Sequence, residues 1–123
     1  MFNFLKKQYD PAIYKTPTSK VVFVAYDADG CIPNFEAARY FEVYVFDGGR
    51  RVRKQMMSAN QEGVHTHDIL DQICRMHVDA VVAGFYDGRS LHELKRHGVK
   101  TYIFDGGPGA AEKAYLMGTL KEM

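Results

Sequence analysis

Three things are scarce in this chain of 123 residues, and each scarcity excludes something. Cysteine occurs twice, as Cys31 and Cys74, without a CxxC pair. That is too little for a disulfide scaffold and fits a reducing, cytoplasmic compartment. An excess of either charge is missing, because sixteen Lys and Arg face fifteen Asp and Glu. The near balance removes any global pull toward nucleic acid or an anionic membrane, so a partner must be recognised locally. Long apolar runs are absent too: nothing reaches signal-peptide or membrane-span length, and the expectation is a soluble, unexported protein. The length suits one domain large enough to bury most of its unfolded surface around a single core.

What is present is a set of short apolar runs separated by turn residues. Residues 1–19 mix aromatic side chains with Lys, Pro and Thr without period and read as an N-terminal extension; the domain proper occupies 20–123. Val21 to Tyr26 is a β-rich run closed by Asp27-Ala28-Asp29-Gly30. Phe41 to Phe46, Asp47-Gly48-Gly49 and Arg51 to Met57 form a hairpin. Its second strand carries Arg50, Arg51, Arg53 and Lys54, which more simply guard a sheet edge than bind nucleic acid. A helix is expected from Thr66 as N-cap, burying Ile69, Leu70, Ile73, Met76 and His77.

The stretch VDAVVAGFYDGRSLHELKRHGVKTYIFDGGPGAAEKAY, Val78 to Tyr115, reads as strand, loop, helix, strand, glycine-rich turn, helix. Its apolar runs, Ala80 to Ala83 and Tyr102 to Phe104, are unbroken, as in parallel strands covered on both faces. Ser90 and Glu93 have capping-box spacing, Gly98 supplies a stop, and Pro108 opens a last helix that lays Ala111, Ala114, Tyr115 and Gly118 on the sheet. Five strands and three helices in this order give an α/β domain of three layers with one antiparallel member in a mostly parallel sheet.

Loops at the carboxyl ends of parallel strands are where such sheets hold ligands, which directs attention to Gly84 and to Gly106-Gly107. The second of these combines backbone N–H groups with a helix N-terminus, a geometry that attracts anions, but it also suits a tight strand-to-helix connection. It matches neither GxGxxG nor a phosphate loop. His65 and His67 bracket a helix start and are the best metal-ligand candidates; His67, Asp71 and Cys74 follow on one helical flank, although Cys74 is more simply a small buried apolar group. Asp27, Asp29, Asp87 and Asp105 end strands, yet they lack the convergence that a two-metal nuclease requires. No nucleophile–base pairing is legible, so no catalytic residue is assigned.

The segments Val78 to Tyr115 and NFEAARYFEVYVFD, with Asp79, Val81, Gly84, Leu94, Gly98, Tyr102, Gly106, Gly107 and Ala114, resemble the dinitrogenase iron-molybdenum cofactor biosynthesis family, the NifX-like domains. The resemblance runs from Val21 to Leu120. It implies a three-layer α/β/α domain with a ribonuclease H-like motif, a five-stranded mixed sheet of order 3-2-1-4-5 with strand 2 antiparallel, and three helices. It further implies a non-catalytic carrier of an anionic metal-sulfur cluster, an iron-sulfur or molybdenum-containing group or its precursor, exchanged with a donor or acceptor protein. Where many members carry His-Phe-Gly, this chain has Asn34-Phe35-Glu36, so an imidazole is lost and a carboxylate added. Cys31 offers a soft thiolate in its place. The expected cluster site unites Cys31, Asn34, Phe35, His65, His67, Gly84, Gly106 and Gly107. The alternative is a small ligand-binding or protein-interaction module that keeps the fold without metal, its N-terminal arm able to engage a partner or a second copy in a homodimer.

Overall fold

The computed structural model describes residues 18–27, 29–58 and 66–123, with residues 66–68 described by their backbone alone. Most of the N-terminal extension, the loop before the first helix and His65 lie outside the described residues, as do the side chains of Thr66, His67 and Asp68.

Six strands are present among the described residues: β1 (Lys20–Tyr26), β2 (Tyr40–Asp47), β3 (Arg50–Ser58), β4 (Ala80–Ala83), β5 (Lys100–Ile103) and β6 (Lys121–Glu122). They form one sheet of order β3-β2-β1-β4-β5-β6. β1, β4 and β5 run parallel, whereas β2 is antiparallel to β1 and β3, and β6 is antiparallel to β5. The expected order 3-2-1-4-5 therefore holds, with a two-residue strand added at its end.

Both faces of the central strands are closed. Val21, Val22, Phe23, Val24 and Ala25 are all buried, as are Ala80 to Ala83. Alternate side chains point to opposite faces, so a covering layer is required on each side. Helix α3 (Pro108–Met117) supplies one: Tyr115 stacks on Phe46 at 5.1 Å between ring centroids and meets Tyr102 edge-on at 6.3 Å. Helices α1 (Thr66–Arg75) and α2 (Gly88–Arg96) supply the other, inserting Ile69, Ile73 and Leu94 with no exposed surface. They meet through Cys74, whose thiol lies 3.9 Å from the Glu93 carbonyl. Cys74 is half-buried, and burial pushes its thiol up.

Several local expectations shift. The N-cap of α2 is Asp87, whose Oδ1 accepts the Ser90 N–H at 2.7 Å, so the helix starts ahead of the Ser90–Glu93 pair. A carboxylate there meets the positive end of the helix, which a serine would not. His77 leaves the apolar face, is exposed and takes φ +54 just past α1. Gly118 does not pack on the sheet; it is the exposed left-handed residue (φ +71) that stops α3 and releases residues 119–123 to form β6.

The β3 edge carries its own protection. The pairing steps from Val45–Arg53 to Phe46–Arg51, leaving Val52 as a bulge. Bulges twist an edge away from foreign strands. Arg51 and Lys54 turn back onto Glu112 (3.5 Å) and Glu42 (3.4 Å), and both lie over the Tyr44 ring. Tyr44 donates to Glu42 at 2.5 Å, and its phenol is raised, first by burial and then by that carboxylate.

Candidate functional site

The parallel strands β1, β4 and β5 end on one side of the sheet, and the loop leaving β1 crosses all three ends. Its path is fixed by backbone hydrogen bonds. Ile32 N–H donates to the Gly106 carbonyl, Gly84 N–H to the Pro33 carbonyl, and Phe35 N–H to the Phe85 carbonyl, each at 2.8 Å. Residues without side chains admit this close approach. A Cβ on Gly84 would stand 3.2 Å from the Ile32 carbonyl, 3.3 Å from that of Pro33 and 3.4 Å from Asn34 Oδ1; one on Gly107 would stand 3.1 Å from the Gly30 carbonyl. Gly106, at φ +142, lies under the Phe104 ring.

The loop then makes a short 3-10 turn, Phe35–Ala37. Phe35 is completely buried, stacked on Tyr86 (5.8 Å) and tilted against Phe41 (5.6 Å). It is an anchor for the loop and presents no face to a ligand. Tyr86 lies beneath it, its hydroxyl within hydrogen-bond distance of the Val81 (2.9 Å) and Tyr102 (2.7 Å) carbonyls. Burial raises the Tyr86 phenol. Glu36, which the sequence presents as an added carboxylate in the site, accepts the Asp87 N–H at 3.1 Å and ties the loop to the start of α2.

Beside this loop is an open cavity of about 500 Å³. Asn34, Ile32 and Gly84 form one wall. Ile103, Phe104 and Asp105, at the end of β5, form the floor, and Thr119 and Lys121 the far side. Of the expected site residues, the structure brings Asn34 and Gly84 together here. Gly106 and Gly107 seat the loop and do not line the cavity. Cys31 is exposed on the same loop, next to Ile32, with its N–H held by Asp29 Oδ1 at 3.0 Å. His65 and the His67 side chain fall outside the described residues, and their relation to Cys31 stays an expectation. Among the described residues, no three His, Cys, Asp or Glu side chains converge as metal ligands. The strand-end carboxylates are dispersed: Asp27 lies 4.0 Å from Arg39, Asp29 holds the loop, and Asp87 caps α2.

The floor and far side, Ile103 to Asp105 with Thr119 and Lys121, escaped the sequence reading. The available signal was Gly118, a residue suited to a left-handed helix stop, after which the last residues are free to pair with β5.

No family model matches the chain, and no curated protein matches it in sequence. Solved structures do match in fold. A proposed dinitrogenase from Methanocaldococcus jannaschii superposes with a TM-score of 0.70 at 15% identity, covering 84% of this chain and 93% of that one. A proposed NifB protein from Thermotoga gives 0.65 at 22%, covering 84% and 92%. The apo form of the orange protein from Desulfovibrio gigas gives 0.66 at 17%, covering 85% and 92%. The chain thus shares the fold of these three structures over nearly their whole length.

Proposed function

We propose that the protein is a non-catalytic carrier that holds an anionic metal-sulfur cluster, or a precursor of one, as cargo and passes it to an assembly partner. The observation that carries this reading is the open cavity beside the β1 loop. It lies at the carboxyl ends of parallel strands, where this architecture binds ligands, in a fold shared with proteins named for dinitrogenase and NifB. The chemistry around it supports holding rather than reacting. The Asn34 amide and the Lys121 ammonium are hydrogen-bond donors, and Cys31 provides one exposed soft donor on the neighbouring loop. His65 and His67 are the proposed further ligands.

Anaerobic reconstitution with iron, sulfide and molybdate, followed by metal analysis and visible absorption, tests the reading. The expected result is stoichiometric metal and sulfide, lost in Cys31→Ala and in the double variant His65→Ala/His67→Ala. Absence of a stoichiometric cluster, or unchanged binding in both variants, overturns it.

A second reading, a ligand-binding module without metal, is favoured by one observation: Asn34 stands where the resembling family carries histidine, and its amide faces a cavity floored by Ile103 and Phe104. Such a wall accepts a small organic molecule as readily as an inorganic one.

A further inference from the structure

The added strand β6 changes the composition of the cavity. In the β5–β6 pairing, Ile103 stands opposite Lys121 and Tyr102 opposite Glu122. Directly opposed residues share a face, and successive ones alternate. β6 thereby sorts its two charges. Glu122 goes to the α3 side with Lys100, whose Nζ is 3.9 Å from Glu122 Oε1. Lys121 goes to the side of Ile103 and lines the cavity.

Lys121 has no ion-pair partner among the described residues. Among the described residues it is also the only cation lining the cavity, and Asp105, just past the end of β5, is the one acid there. The position of β6 is secured independently of any ligand: the Met123 N–H donates to the Thr101 carbonyl at 2.8 Å, and Thr101 Oγ1 donates to the Met123 carbonyl at 3.1 Å. Thr101 is itself completely buried, which fixes the far end of the strand.

We propose that Lys121 is the residue that reads the negative charge of the ligand in this cavity, and that it sets the preference for a ligand with one anionic pole. The Asn34 amide then donates to the same pole, while Asp105 repels any second negative charge extended toward it. This rests on the cavity being the cargo site, and it adds a specificity-determining residue from a strand outside the five-stranded pattern.

The test is a titration of the full chain with inorganic molybdate, followed through the backbone amide resonances of Asn34, Gly84 and Thr119. The wild type is expected to give saturable shifts. Removing one charge-assisted contact should weaken binding about ten-fold in Lys121→Gln. Lys121→Arg should keep most of the affinity, and Lys100→Gln, on the other face, should change nothing. Absence of a saturable response in the wild type, or equal affinity in Lys121→Gln, overturns the proposal. Cluster reconstitution separates it from the carrier reading. A cluster held equally by wild type and Lys121→Gln overturns the role of Lys121 and leaves the carrier. Lys121-dependent molybdate binding without cluster uptake supports that role and removes the carrier.

Discussion

Asn34 and Phe35 are consecutive, yet they belong to regions that work in opposite ways. Phe35 points down among Phe41 and Tyr86 and has no accessible surface, whereas Asn34 points out over the cavity. The buried region holds the loop by packing and by backbone hydrogen bonds at the strand ends. The open region contributes little to holding anything. The Asn34 side chain makes no capping hydrogen bond to the 3-10 turn that follows it. A loop built this way can present polar groups at fixed positions without using them for its own stability, which is what preorganised recognition requires.

The largest effect that would break this contrast is expected at Phe35. Phe35→Ala removes a fully buried ring with two aromatic neighbours, and losses of about 3–5 kcal/mol are usual for such a change. Urea denaturation should show the unfolding free energy falling by that amount and the midpoint moving to lower urea, with the amide shifts of Gly84 and Ile32 collapsing toward those of an unanchored loop. A loss below about 1 kcal/mol would mean that the ring is not the anchor, since only surface-like positions tolerate that deletion so cheaply.

A smaller effect is expected at Tyr86, beneath the anchor. Tyr86→Phe leaves the Val81 and Tyr102 carbonyls without the hydroxyl, at a cost of about 1–3 kcal/mol near neutral pH. The pH dependence sharpens the assignment. Burial raises the phenol in the folded state, so the folded protein keeps its proton after the unfolded chain has begun to lose it. Stability from this group is therefore complete below about pH 10, the ordinary tyrosine value, and declines as pH rises above it. Denaturation midpoints between pH 8 and 11 should fall less steeply in the variant than in the wild type. Some decline should remain, because burial also raises Tyr44 and Tyr115. Parallel slopes would place Tyr86 in water.

The same division explains which features the sequence revealed. The β2–β3 turn at Gly48-Gly49 and the three helices follow from apolar periodicity and turn residues, which act locally, whereas the sheet order came only as an implication of the family resemblance. Gly84 was recognisable because it ends an unbroken apolar run at the carboxyl end of a parallel strand, where such sheets hold ligands. The roles of Phe35 and Glu36 were not legible: the burial of one and the contact of the other with the Asp87 N–H depend on residues about fifty positions away. The cavity's far side was hidden for another reason. A two-residue strand has no period to detect, and the side on which Lys121 falls depends on its register with β5.

The smallest stability effect and the sharpest functional one are both expected at Asn34. Because its side chain caps nothing and stands at the cavity mouth, Asn34→Ala should alter thermal stability by no more than about 0.5 kcal/mol, the range for surface positions without special contacts. The same change removes an amide from the wall facing Lys121, so molybdate affinity should fall while the resonances of Phe35 and Tyr86 stay in place. Asn34→His tests the other direction. It places an imidazole at the same mouth, a borderline-soft ligand that metal-sulfur cargo accepts better than an amide. Reconstituted cluster should be retained longer in this variant above pH about 6.5, where the ring is neutral and able to ligate. If Asn34→Ala instead unfolds the loop, the open region is structural after all. If Asn34→His changes retention at no pH, the mouth holds its cargo by charge alone, and the weight of recognition moves across the cavity to Lys121.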